Sequence, residues 1–131
     1  MLSLEFSLIL AVLFYIVVIC LHILILKKVI PHTFISGGRI TSFEEQAKIS
    51  TSSIGIALLG FSFVLLGYLS PNIRQTLIYA ILAFILSGFW TLSLVMQLLG
   101  TKFERYVMSI IVLLGVLSHL SLSLLSYGEM S

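Results

Sequence analysis

Apolar residues along this chain gather in four long blocks and do not alternate with polar ones. The blocks cover residues 4–26, 52–69, 76–99 and 106–126. Each is close to the ~20 residues that a helix needs to cross a hydrocarbon core about 30 Å thick. A half-buried strand would show a period of two, and none of these stretches does. The pattern predicts an all-α integral membrane protein, with four transmembrane helices in an antiparallel bundle.

Polar residues punctuate the blocks. Lys27-Lys28 and then Pro31 end the first, Ser70-Pro71-Asn72 the second, Gly100 the third and Gly128 the fourth. Ser42-x-x-Glu45 and Thr101-x-x-Glu104 fit the capping box, in which a hydroxyl accepts a free helix N–H and the carboxylate reaches back. These boxes predict that the second helix starts near Phe43 and the fourth near Lys102. Ser70-Pro71 reads as the N-cap and first residue of the third helix, where proline has no N–H to lose. The connections after the second and third helices are then tight, which predicts a hairpin series through helices two, three and four. Only the loop between the first two helices is long, and Ser36-Gly37-Gly38 reads as its flexible segment.

Composition narrows the class. The chain has 131 residues, of which 60% are apolar and 9% charged, and its mean hydropathy is +1.21. A soluble domain has about 45–50% apolar and about 25% charged residues. A soluble enzyme, a secreted disulfide scaffold and a disordered tail are excluded, and residues 1–131 form one transmembrane domain. A net charge of +2 does not point to nucleic acid. Cys20 is the single cysteine, so no intramolecular disulfide forms.

Charge placement adds orientation. Lys27, Lys28, Arg39, Lys48, Lys102 and Arg105 fall on one side of the spans, and only Arg74 on the other. Positive loops stay cytoplasmic, so the loop at residues 27–51 is expected inside and both termini outside, in the cell membrane. The N-terminus has no positive n-region and no small-residue cleavage site, so it reads as a retained helix.

Each span carries one stripe of small or polar residues. Helices in lipid associate through close contact at small side chains and a few hydrogen bonds. The second span offers Ser53, Ala57, Gly60, Val64 and Gly67, and the third Ala80, Ala83, Ser87 and Thr91. The first offers Ser7, Ala11, Tyr15, Val18 and His22, and the fourth Ser109, Val112, Val116, His119, Ser123 and Ser126. These form the expected packing seam, and Leu65 is expected to face lipid.

Ionisable groups inside a membrane are functional candidates by default. His22 and His119 are the two within the spans, and they raise the question of bis-His haem. His22 lies ~7 Å from the Lys-rich end and His119 ~21 Å from it, at 1.5 Å rise per residue. That mismatch argues against one haem held by both, so no haem, metal or other cofactor is expected, and lipid is the expected small-molecule contact. His119 is expected to hydrogen-bond to a neighbouring helix near Ser118, Ser121 and Ser123, and His22 to reach the interface beside Lys27. Gln97 shares a face with Trp90 and Leu94 and is placed to cap an interhelical contact. Tyr68, Tyr79 and Tyr127 fit an outer aromatic belt and Tyr106 an inner one. No carboxylate is expected between the interfaces, which disfavours proton-driven export. A P-loop, the motif His-Glu-x-x-His, a Cys-x-x-Cys pair, Gly-x-Ser-x-Gly and a potassium-filter sequence are all missing. Lys27, Lys28, Arg39 and Lys48 make the long loop a docking surface for anionic lipid or a partner.

In outline the chain resembles the family of membrane-associated glutathione and eicosanoid enzymes, with four helices, an outside N-terminus and a cytoplasmic loop between the first two. The likeness is architectural. That family's loop signature carries Arg and His ahead of Asn-x-x-Glu, and the stretch Arg39-Ile-Thr-Ser-Phe-Glu-Glu-Gln lacks the His and the Asn. No residue is carried over from it.

These features lead to the expectation of a non-catalytic integral subunit of a larger energy-converting or transport assembly, contacting lipid and other subunits or its own copies. One alternative is a small homo-oligomeric channel or carrier with a pore lined by the Ser-rich fourth helix. Another is a small membrane enzyme working at the cytoplasmic loop.

Overall fold

The computed structural model describes residues 3–129. Among them the chain is helical, with no strand. Its long helices are α1 (Leu4–Leu26), α2 (Phe43–Leu69), α3 (Leu77–Leu98) and α4 (Glu104–Gly128). All four are long and apolar enough to cross a membrane, and the chain is a membrane protein.

Hydroxyl side chains start every one of these helices. Ser3 Oγ accepts from Phe6 N at 3.2 Å, Ser42 Oγ from Glu45 N at 3.2 Å and Thr76 Oγ1 from Tyr79 N at 3.2 Å. Thr101 completes a reciprocal box. Its Oγ1 accepts from Glu104 N at 3.3 Å, and Glu104 Oε1 accepts from Thr101 N at 3.2 Å. The Ser70-Pro71 expectation needs correction. Those residues open a separate turn, Pro71–Arg74, and α3 starts afterwards with Thr76 as its cap. Thr76 wins because its hydroxyl reaches the free N–H of Tyr79, whereas Ser70 makes no side-chain cap bond. Near the start of α4 the backbone widens into a π-helical turn, Glu104–Met108.

α1 packs against α2 and α4, and α3 packs against α4. The expected hairpin series is incomplete, because α2 and α3 do not pack along their lengths. They meet near their shared turn. There the Tyr79 ring stacks on Phe63 with centroids 4.2 Å apart, its hydroxyl donates to the Phe63 carbonyl at 3.1 Å, and it covers Gly67. Tyr79 is therefore a buried pin between helices and not a belt residue. Arg74 braces the same end, donating from Nη1 to the Gly67 carbonyl at 2.8 Å and pairing through Nε with Glu129 at 3.0 Å.

The interior is built from the small-residue stripes. Ser7, Ala11, Tyr15 and Val18 of α1 are buried, as are Ala57, Gly60, Val64 and Gly67 of α2 and Ala83 and Ser87 of α3. Gly60 is where the Tyr15 ring lies, and any side chain there would collide with the phenol. Gly115 gives the same room to Phe14, whose ring carbon would lie 2.6 Å from an added Cβ. Two seam residues depart from expectation. Thr91 is exposed and turns its hydroxyl back to the Ser87 carbonyl at 2.8 Å, and Ser53 is only half-buried. The outer surface is apolar, with Leu59 75% and Ile78 71% exposed. In water such a surface would be a liability, and in hydrocarbon it is the wetted face.

Candidate functional site

Two polar groupings lie inside the bundle. The first joins α1, α3 and α4 around Tyr15. Trp90 Nε1–H donates to the Tyr15 oxygen at 3.1 Å, and the Tyr15 hydroxyl lies 2.7 Å from His119 Nε2. His119 Nδ1 lies 2.7 Å from the Gly115 carbonyl. A carbonyl only accepts, so Nδ1 carries the proton and Nε2 accepts from Tyr15. The order is Trp90 to Tyr15 to His119 to Gly115, and each group is paired. Phe14 closes over it, edge-on to Tyr15, Trp90 and His119 with centroids 5.0, 4.9 and 6.1 Å away. His119 thus does bond a neighbouring helix, but its partner is Tyr15. Of the serines expected near it, Ser118 lies beside it and donates to the Gly115 carbonyl at 3.0 Å, while Ser123 reaches across to the Ala80 carbonyl at 2.7 Å.

The second grouping occupies the opening between α2 and α3 at the end bearing the long loop. A cavity of about 250 Å³ lies there. Gln46, Ile49, Ser53 and Ile56 of α2 form one wall, and Phe89, Trp90, Ser93, Met96 and Gln97 of α3 the other. Val18 and His22 of α1 and Met108 and Val112 of α4 form its back. Ile35, Ser36, Gly37 and Arg39 of the loop cover the end, beside Glu104. Trp90 belongs to both groupings and is the only tryptophan in the chain.

The loop is held in place over this cavity. Residues His32–Phe34 and Ser36–Gly38 form two short turns, with Gly37 and Gly38 at φ 66° and 70°. Those angles suit glycine. Ser36 Oγ donates to Gln46 Oε1 at 2.8 Å, and Gln46 Nε2 donates to Ser50 Oγ at 3.0 Å. Gly37 N donates to Glu104 Oε1 at 2.7 Å, and the Thr101 hydroxyl donates to the Phe34 carbonyl. The segment Ser36-Gly37-Gly38 is therefore a fastened turn and not a free hinge.

The positions expected to carry chemistry divide accordingly. His22 does not reach out beside Lys27. Its Nδ1 lies 3.1 Å from Ser50 Oγ and it lines the cavity, because the stripe that places Tyr15 and Val18 inward carries His22 round with it. Gln97 makes no interhelical bond. Its Oε1 is buried without a partner, while the residue lines the cavity where α2 and α3 do not pack together. All four docking cations are exposed, with Lys28 over the Phe43 ring at 4.6 Å, and of the four only Arg39 also lines the cavity. The residue missed is Glu104, a carboxylate only 5% exposed. The capping box pointed to its position, but its second role needed the loop's Gly37 to come within reach. The serines that suggested a pore on α4 are turned inward, with Ser118, Ser123 and Ser126 all buried in their own bundle. Among the described residues, no three of His, Cys, Asp and Glu come together as a metal-holding group.

Comparison with protein-family models, curated proteins and solved structures returned no match, so geometry carries the functional argument.

Proposed function

We propose that this chain is a non-catalytic integral membrane subunit that binds an amphiphilic molecule entering sideways from the bilayer. In this reading the bundle is antiparallel, sits in the cell membrane, keeps both termini outside, and opens its cleft at the inner leaflet. The observation that carries it is the cleft itself. α2 and α3 are pinned at one end by Tyr79 and stand apart at the other. The opening has apolar lips, with Ile56 47% and Met96 52% exposed, and a polar closed end under the loop. A molecule with an apolar tail and a hydrogen-bonding head matches that gradient, since ligand sites pair apolar walls with a few placed polar groups. The unpaired faces of α2 and α3 also support membership in a larger assembly, in which lipid or a neighbouring subunit lies alongside.

Trp90 reports on the cleft directly. Bromine-labelled lipid should quench its fluorescence and saturate below the bulk lipid fraction. Ser53→Phe, which fills the opening, should abolish that saturable part. Quenching that merely tracks bulk lipid and survives Ser53→Phe would refute the reading. Orientation has its own check. A Thr33→Cys label site in a Cys20→Ala background should react with an impermeant maleimide only after the membrane is opened. Reaction in intact cells would reverse the topology.

A further inference from the structure

The charges at the closed end of the cleft point to a ligand class, an inference that rests on the amphiphile reading above. Glu104 and Arg39 line the same cavity, yet the one ion pair among the described residues is Arg74 with Glu129, at the other end. Glu104 takes the Gly37 and Thr101 N–H groups on Oε1, while Oε2 accepts no hydrogen bond among the described residues. Gln97 Oε1 is a buried acceptor without a partner. Arg39 supplies the cation, its guanidinium lying against Gly37 with no hydrogen bond or ion pair among the described residues. The closed end therefore offers unpaired acceptors and a cationic donor around one cavity.

We propose that the cleft selects a zwitterionic phospholipid with a primary amine. Its ammonium would sit on Glu104 and Gln97, its phosphate on Arg39, and its chains would leave past Ile56 and Phe89 into the bilayer. A primary ammonium brings three N–H donors to the two acceptors. A choline headgroup has the same charges but no N–H, so it leaves Gln97 Oε1 bare. An anionic glycerol headgroup brings hydroxyl donors and the same phosphate for Arg39, but it has no ammonium to balance Glu104. Arg39 matches a phosphate because its planar fork donates to two oxygens at once.

The test uses the full chain in phosphatidylcholine nanodiscs, with Trp90 as reporter. Bromine-labelled phosphatidylethanolamine, phosphatidylcholine and phosphatidylglycerol are titrated in separate series. Half-maximal quenching should need about tenfold less of the ethanolamine lipid, the preference expected from one charge-assisted contact. Gln97→Leu removes the free acceptor and breaks no hydrogen bond among the described residues, so it should bring the ethanolamine and choline lipids level while quenching remains. Arg39→Gln should weaken all three. Glu104→Gln also loosens the loop at Gly37, so Gln97→Leu is the deciding variant. Equal, saturable quenching by all three lipids overturns the headgroup assignment and leaves the amphiphile reading standing. No saturable quenching by any lipid overturns both.

Discussion

Around Tyr15 the bonding atoms of Trp90, Tyr15 and His119 all find partners within the chain, whereas around Gln97 an acceptor, a carboxylate oxygen and a guanidinium do not. Both places hold polar groups in an apolar bundle, and both include Trp90. In the sequence His119 and Gln97 look alike, as polar residues inside spans. The structure separates them by satisfaction. A buried polar group whose bonds are closed internally ties helices together and asks for nothing further. One whose bonds stay open, beside a cavity that reaches the bilayer, is waiting for a partner. Packing follows the same division. The Tyr15 region is filled against Gly60 and Gly115, while the Gln97 region has α2 and α3 held apart.

The contrast breaks most sharply at Gly60. Gly60→Leu places four carbons where the Tyr15 phenol lies. Overpacking of this kind costs about 1–3 kcal/mol and occasionally more, and it should appear as a large loss of thermal stability in detergent. Gly88→Leu is the control, because nothing lies within 4 Å of an added Cβ there. If Gly60→Leu is harmless while Leu65→Ala disrupts, α2 is rotated and the packing account fails. Next comes Tyr15→Phe, which leaves His119 Nε2 and Trp90 Nε1–H unpaired in one step. Leaving a buried group unsatisfied costs about 1–3 kcal/mol, and interhelical bonds in membranes average ~0.6 kcal/mol. A loss near 1 kcal/mol is expected, and adding His119→Leu should restore part of it. Full additivity in that double variant would show that the two side chains do not act together. Smallest is Ser53→Phe in the cleft, with a stability change expected within about 0.5 kcal/mol. A loss as large as that of Gly60→Leu would mean that the cleft is already closed in the membrane.

The spans were legible because a membrane imposes a length, and nothing else in the chain shows such runs. Capping boxes at Ser42 and Thr101 placed two helix starts, since both rest on contacts within four residues. The inward stripes on α1 and α2 were legible for a similar reason: small residues at helical spacing share a face whatever they meet. What lay beyond reach was partner choice across the chain. Tyr15 and His119 are 104 positions apart, and no local pattern says that they touch. Tyr79 reads as an interface anchor because it sits at a span end, and only the space over Gly67 draws it inward. The divergence of α2 and α3 was hidden by their short connection. A tight turn fixes where two helix ends lie but not the angle between their axes. Glu104 and Gly37 meet only because two separate loops converge, so half of the site was invisible residue by residue.

The π-helical turn at Glu104–Met108 has a consequence for what lengths of chain this fold accepts. Such a turn holds one residue more than regular helix would. Deleting one residue there would let α4 relax into ordinary α-helix, with its span and capping threonine intact. The wide turn takes up that residue locally, so the helix before it and the helix after it would keep nearly the same facing. Glu104 would still lie toward Gly37, and His119 would keep its place opposite Tyr15. The start of α4 is thus a point where the chain can gain or lose one residue without rotating either polar grouping. Among chains of this design, a one-residue gap at this position would leave both the scaffold and the site in place.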